Sequence, residues 1–215
     1  MNLVFPPLYA IIDSALLTTS ELSLAETLAA SGVGLIQYRN KTFPARSLFP
    51  ICEKLAAELP RLGARFIVND RADLAMLAGA GGVHVGQQDL GVEAARLVCG
   101  SRCWVGVSTH TLEQVAAADA TSADYIAFGP VFATQTKQHP DEVVGTGLLA
   151  RARALTRKPL VAIGGITLER AVEVYRAGAD SLAVARDLIC AARPAERARE
   201  YLDTAASLHD RNEPL

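Results

Sequence analysis

Apolar residues fall into eight short runs: Leu8–Asp13, Leu35–Arg39, Arg65–Asn69, Val83–Gly86, Trp104–Ser108, Tyr125–Gly129, Leu160–Gly164 and Ser181–Ala185. Each is rich in Val, Ile, Leu, Tyr or Ala and stops at a polar residue, a glycine or a turn. Between the runs the period changes. Leu48, Ile51, Cys52, Leu55 and Leu59 recur at spacings of three and four, which makes one apolar stripe of a helix. Leu168, Ala171, Val172 and Tyr175 do the same, with Thr167 placed to cap the start and Gly178 to end it. Ser20 or Ser23 is expected to cap the first helix, which Gly32 ends. Pro194 opens the last helix, as a residue favoured in the first turn, and Ala198, Tyr201, Leu202 and Ala205 face inward from it.

Strands alternating with about eight helices predict βα units and a parallel sheet. Parallel strands are covered on both faces, which suits runs that are apolar throughout. Two closures compete. A doubly wound open sheet usually has fewer strands at this length and a glycine-rich first turn, but the turn here is Asp13-Ser14-Ala15, with no G-x-G-x-x-G. Eight units favour a (β/α)8 TIM barrel, one catalytic domain over residues 1–215, although about 250 residues is more typical. No linker, low-complexity segment or second domain is evident.

Composition narrows the function classes. Twenty-one Lys and Arg stand against 23 Asp and Glu, so no basic field exists to draw in nucleic acid. No apolar stretch reaches the length of a membrane span. The start, M-N-L-V-F-P-P, lacks a basic segment and is broken by Pro6 and Pro7, so no signal peptide is expected and a cytoplasmic location is. Cys52, Cys99, Cys103 and Cys190 form no C-x-x-C pair and read as reduced, mostly buried thiols.

In such a barrel, chemistry sits where the strands end. Those positions hold Asp13; Gln37, Arg39 and Lys41; Asn69 and Asp70; Gln87 and Asp89; Ser108 and His110; Thr134, Thr136 and Lys137; Gly164 and Gly165; and Arg186. Two runs end in acids, I-V-N-D at 67–70 and H-V-G-Q-Q-D at 84–89. Asp is common in turns, which is one explanation. The other is a shared metal: the acids follow neighbouring strands three and four, one βα unit apart. Mg²⁺ takes one or two carboxylates plus phosphate oxygens and keeps waters. Arg39, Lys41 and Lys137 beside them suit a metal-bound diphosphate. Gly164-Gly165 either forms only a tight turn or lets backbone N–H groups approach a phosphate, the use barrels often make of their last two loops. Two anion sites are expected: a Mg-diphosphate clamp at strands two, three, four and six, and a phosphate pocket at strands seven and eight. His84 and His110 are candidates for a general base, but His84 lies inside a strand pattern and His110 could only line the pocket.

The chain resembles the thiamine phosphate synthase (thiamine-phosphate pyrophosphorylase) family. The stretches that carry the resemblance are Y-A-I-I-D at 9–13, Q-Y-R-N-K at 37–41, V-N-D-R-A-D-L-A at 68–75, G-V-H-V-G-Q-Q-D-L at 82–90, G-V-S-T-H-T at 106–111, F-G-P-V-F-A-T-Q-T-K at 128–137, V-A-I-G-G-I at 161–166 and G-A-D-S-L-A-V at 178–184. The resemblance implies a Mg²⁺-dependent transferase that joins a pyrimidine methyl diphosphate to a thiazole phosphate and releases pyrophosphate, by a dissociative route. It implies that Gln37, Arg39, Lys41, Asn69 and Lys137 bind the pyrimidine diphosphate and that Asp70 and Asp89 hold Mg²⁺. Ser108 would contact the diphosphate or the pyrimidine edge. Thr134, Thr136, the Gly165 backbone and the loop around Ala185-Arg186 would receive the thiazole phosphate. The charge-handling groups, and so the catalytic ones, would be Arg39, Lys41, Lys137 and Ser108.

Two positions depart from the family pattern. Asn40 stands where the family often has an acid, and is expected to be silent. Arg186 aligns with a Ser, and is expected to be tolerated, to add a charge contact or to mark altered thiazole specificity. A thiazole tautomerase-like paralogue would share the barrel and the thiazole phosphate pocket without needing the metal acids and the cations together. A non-catalytic regulator that binds a phosphate ligand would show binding without turnover. The oligomeric state is open, and a homo-oligomer is compatible with the sequence.

Overall fold

The computed structural model describes residues 5–134 and 142–209. Eight strands run β1 Leu8–Asp13, β2 Leu35–Arg39, β3 Arg65–Asn69, β4 Gly82–Val85, β5 Trp104–Thr109, β6 Tyr125–Phe128, β7 Leu160–Ile163 and β8 Ser181–Val184. All pair in parallel in sequence order, and β8 returns to β1 through Leu8↔Leu182 and Ala10↔Val184, which closes the barrel. The expected strands are all present, with ends shifted by about one residue.

Helices α1 Glu21–Ala30, α2 Ala45–Glu58, α3 Ala72–Ala78, α4 Val92–Cys99, α5 Leu112–Asp119, α6 Gly145–Leu155, α7 Leu168–Arg176, α8 Arg186–Ile189 and α9 Pro194–His209 form the outer ring. Ser20, not Ser23, caps α1: its side chain accepts from the Ser23 amide at 3.4 Å. Thr167 holds the cap position of α7 in extended backbone, but its side chain makes no cap hydrogen bond to the helix. The short α8 was not resolved as a separate helix by periodicity, because four residues carry only one turn of pattern. Among the described residues, no helix is long and apolar enough to cross a membrane.

Strand parity divides the interior. Leu8, Ala10 and Ile12 of β1 pack outward against the helices in the larger apolar cluster, whereas Tyr9 and Ile11 join a smaller one inside the barrel with Leu35, Ile67, Tyr125, Ala127, Val161 and Ala183. Successive strand residues face opposite ways. The inward parity of Tyr9 and Ile11 continues to Asp13. That of Leu35 continues to Gln37 and Arg39, and that of Ile67 to Asn69. The parity of Trp104 and Gly106 continues to Ser108. The same alternation that fills the barrel with apolar groups therefore delivers polar ones to its C-terminal mouth.

Candidate active site at the barrel mouth

Each charge expected at the mouth that lies among the described residues is present there, and several are already paired. Arg39 at the end of β2 forms an ion pair with Asp13 at the end of β1, and Asp13 is only 1% exposed. The other Asp13 oxygen accepts from the Ala15 amide at 3.0 Å. Asp13 thus fixes one of the expected diphosphate-binding cations, a role that position alone did not suggest. Lys41 forms an ion pair with Asp70.

Asp70 sits in the left-handed region with φ of 63°, the one described non-glycine residue with positive φ. Asp tolerates this conformation better than bulkier residues, and backbone strain of this kind clusters at functional sites. Its amide donates to the His84 carbonyl at 2.7 Å, which ties the β3 loop to β4. Asp89 closes its own turn, accepting from the Gly86 amide at 2.8 Å. Partial burial, together with the negative charge and hydrogen bonding of Asp70, pushes the Asp89 carboxyl up; the Gly86 amide and Lys41 oppose this. The two acids therefore converge, as the strand-three and strand-four spacing implied.

The chemistry of this donor set fits a hard divalent cation. Two carboxylates of like charge face one another, and an ammonium group already sits on one of them. Among the described residues, no cluster of three or more His, Cys, Asp and Glu forms, so the pair is not part of a closed all-protein cage. Mg²⁺ is commonly held in this way, by one or two carboxylates with the remaining positions left to water and phosphate oxygens.

A cavity of about 660 Å³ opens beside the Asp13–Arg39 pair. Asp13, Arg39, Ser108 and His110 line one side, and Thr134, Gly164, Gly165, Ala185 and Arg186 line the other. Arg39 and the Gly164-Gly165 turn thus border one cavity, whereas Lys41, Asp70 and Asp89 are not among the residues that line it. Gly164 and Gly165 have φ of 99° and 62°, and a Cβ on either would lie 2.4 Å from Pro130 Cβ or from the Ala133 carbonyl oxygen. Only glycine fits this turn. Arg170 in α7 braces it, donating to the Gly165 carbonyl at 2.8 Å with its guanidinium 4.4 Å from the centre of the Phe132 ring. Arg170 was missed from sequence because it lies past the β7 loop, in the first turn of α7. Thr136 and Lys137 lie outside the described residues.

Asn69 ends β3 half-buried, next to Asp70. Asn40, expected to be silent, shapes the loop that carries Lys41. Its Oδ1 accepts from the Thr42 and Phe43 amides at 3.0 and 2.9 Å, while Nδ2 donates to the Tyr38 hydroxyl at 3.2 Å. An Asp could accept the same two amide bonds, which accounts for an acid being acceptable there.

The histidines resolve differently. His84 is buried, with Nε2 2.8 Å from Ser108 Oγ and Nδ1 3.1 Å from the Tyr125 hydroxyl. A Ser–His contact can be the start of a nucleophilic unit, but its third member is normally a carboxylate, and here a tyrosine stands in that place. His110 Nδ1 lies 2.6 Å from the Gly129 carbonyl, and its amide donates to Gln114 Oε1 at 2.7 Å. His110 borders the cavity, anchored between β5 and the loop after β6. Burial pushes the Cys52 thiol up to about 11 and the Cys103 thiol to about 12, so neither supplies a thiolate nucleophile.

A sequence profile described as thiamine monophosphate synthase matches residues 8–188. The chain belongs to the thiamine monophosphate synthase family. A thiamine-phosphate synthase of Koribacter versatilis is 49% identical over 208 residues, covering 94% of this chain and 96% of that protein. One from Methanospirillum hungatei is 39% identical over 197 residues, covering 91% and 96%. The thiamine phosphate pyrophosphorylase structure from Pyrococcus furiosus superposes with a TM-score of 0.86 at 30% identity, covering 94% of this chain and 96% of that one. Family membership thus accompanies a mouth in which an acid pair, two cations and a glycine-bounded cavity share one rim.

Proposed function

We propose that this protein is a thiamine phosphate synthase that joins 4-amino-2-methyl-5-pyrimidinylmethyl diphosphate to thiazole phosphate, giving thiamine monophosphate and pyrophosphate. The observation that carries the reading is the approach of Asp70 to Asp89 with Lys41 on Asp70, on the same barrel mouth as a cavity lined by Arg39 and by the Gly164-Gly165 turn. A metal and cations on this mouth fit a diphosphate leaving group. The second anion site fits a phosphate-tethered nucleophile.

Asp70 and Asp89 would hold Mg²⁺, which when bound supplies positive charge to the departing diphosphate oxygens. Arg39 and Lys41, with Lys137 by resemblance, add fixed charge to the same oxygens; preorganised charge of this kind is the largest single source of catalysis at many sites. Once substrate phosphate arrives, Lys41 exchanges the Asp70 carboxylate for phosphate oxygens, while Arg39, held by the buried Asp13, turns its other guanidinium N–H groups to them. Gln37, Asn69 and Ser108 orient the pyrimidine. Thr134, Thr136, the Gly165 backbone and the Ala185-Arg186 loop hold the thiazole phosphate, so that its ring nitrogen meets the methylene carbon as pyrophosphate leaves. Neither the phenols nor the thiols of this chain are needed as nucleophiles. The four cysteines are free, in keeping with a reducing, cytoplasmic setting.

The test is to incubate the protein with both phosphorylated substrates and Mg²⁺ and to measure thiamine monophosphate and pyrophosphate. Both should appear in equal amounts and only with metal. Conversion of the thiazole phosphate alone, independent of metal, would assign the protein to thiazole tautomerase chemistry. Binding without turnover would assign it to a regulator.

A further inference from the structure

A continuous line of hydrogen bonds crosses the inside of the barrel beneath the site. Gln37 Nε2 donates to the Tyr9 hydroxyl at 2.5 Å, and the Tyr9 and Tyr125 hydroxyls lie 2.9 Å apart. Tyr125 is 3.1 Å from His84 Nδ1, and His84 Nε2 is 2.8 Å from Ser108 Oγ. The line begins on β2 and passes through β1, β6 and β4 to end on β5, so it joins residues far apart in sequence. Its two ends are residues placed above in pyrimidine binding.

The barrel gives up packing to admit this line. Gly106 faces Tyr125, and a Cβ there would lie 2.0 Å from the Tyr125 ring and 2.4 Å from its hydroxyl oxygen. Tyr9 and Tyr125 are each no more than 1% exposed. Phenylalanine at either position would fill the same space and bury no hydroxyl. Burial pushes both phenols above their ordinary range, so both stay protonated and able to donate.

The donors and acceptors along the line run in one direction. Gln37 donates to Tyr9, and the direction that leaves each buried hydroxyl proton with a partner along this line sends the Tyr9 proton to Tyr125. In a neutral His84 the Tyr125 proton then points to Nδ1 as the unprotonated nitrogen. The His84 proton therefore sits on Nε2 and points at Ser108 Oγ. Ser108, having accepted, has its own proton to donate, and it lines the cavity. Gln37 gives one N–H to Tyr9, which orients the amide and leaves its oxygen as the acceptor of that group. The two ends thus present one acceptor and one donor.

We propose that Tyr9 and Tyr125 are positioning residues which, through His84, fix Gln37 as an acceptor and Ser108 as a donor, and so select a pyrimidine that carries an exocyclic amine beside a ring nitrogen. The proposal rests on the reading of the substrate as an aminopyrimidine diphosphate. An amine donates and the adjacent ring nitrogen accepts, the complement of what the two ends present. A reversed line would present the opposite pattern, suited to a carbonyl beside a ring N–H. Specificity of this kind is strong because a mismatched edge leaves buried polar groups unpaired.

The test compares two ligands on the intact protein with Mg²⁺: the aminopyrimidine diphosphate and the analogue with hydrogen in place of the amine. Tyr125→Phe should weaken binding of the first by about tenfold, the scale of one hydrogen bond. Binding of the analogue and the KM for thiazole phosphate should not change. Equal weakening of both ligands, or of neither, would overturn the proposal. Tyr9→Phe cuts the same line at another point and should give the same selectivity. On the wild-type protein, ¹⁵N NMR of the histidines should find His84 protonated at Nε2, and an Nδ1–H tautomer would overturn the assigned direction whatever the variants do. Wild-type protein that binds neither pyrimidine would instead sink the substrate reading, while the tautomer would still decide the direction of the line.

Discussion

Replacing Asp13 by Asn tests whether a buried carboxylate sets up the leaving-group site through its ion pair with Arg39. Asp13 is almost fully buried, and its partner Arg39 has a side chain 22% exposed. Asparagine can keep the acceptor for the Ala15 amide, but it turns an amide NH₂ toward the guanidinium and loses the charge. A hydrogen bond to a charged group is worth about 1.5–3 kcal/mol. In a chain of this size each 1 kcal/mol lowers Tm by about 2–4 °C, so the variant should melt roughly 3–12 °C lower. With Arg39 no longer held, kcat/KM for the pyrimidine diphosphate should fall about 10- to 100-fold, at 1.36 kcal/mol per tenfold. The KM for thiazole phosphate should stay near the wild-type value. The assay is pyrophosphate release with each substrate varied in turn, on Asp13→Asn, Arg39→Met and the double variant. The double variant should be scarcely worse than Arg39→Met alone, because the carboxylate acts through the guanidinium. A lower Tm with unchanged kinetics, or kinetic losses that simply add, would refute the reasoning.

Other expectations follow from the same geometry. Asp89 has a raised carboxyl pKa, so the folded protein binds more protons than the unfolded chain just above the ordinary carboxylate range, and metal-free stability should fall as pH rises through that window. Thermal melts with and without Mg²⁺ should show the metal stabilising more at neutral pH than near pH 4; Asp89→Asn should remove both effects, and a metal-free protein that gains stability across the window would contradict the assignment. Gly165→Ala, which places a Cβ 2.4 Å from the Ala133 carbonyl oxygen, should raise the KM for thiazole phosphate at least tenfold; kinetics with saturating pyrimidine diphosphate measure it, and an unaltered KM would remove that turn from the phosphate site. Arg186→Ala should weaken thiazole phosphate binding by a few-fold, since this exposed side chain lines the cavity, and an unchanged KM would dispose of a direct contact.

The architecture was legible because βα alternation and apolar runs report the parallel barrel directly. The approach of the two acids was legible too: Asp70 and Asp89 follow neighbouring strands, and adjacency in sequence order is adjacency around a closed barrel. What stayed hidden were contacts across the barrel. Tyr9 and Tyr125 stand 116 residues apart, and nothing in the periodicity says that their hydroxyls meet. Parity tells which residues point inward but not which share a height, and that depends on the stagger of the strands. Asp13 was visible as a strand-ending acid, but its pairing with Arg39 depends on the β1–β2 register, in which the two are directly opposite. The structural work of Asn40 was hidden for a related reason: it lies in backbone amides two and three residues on, which residue type alone does not disclose.

The account stands on the acid pair, and single-turnover pyrophosphate release by Asp70→Asn and Asp89→Asn measures it most directly. Each variant should lose roughly 10²-fold or more in rate, the scale for removing a key charge stabiliser, while still binding thiazole phosphate normally. Near-normal release in both, with Mg²⁺ dependence intact, would contradict it.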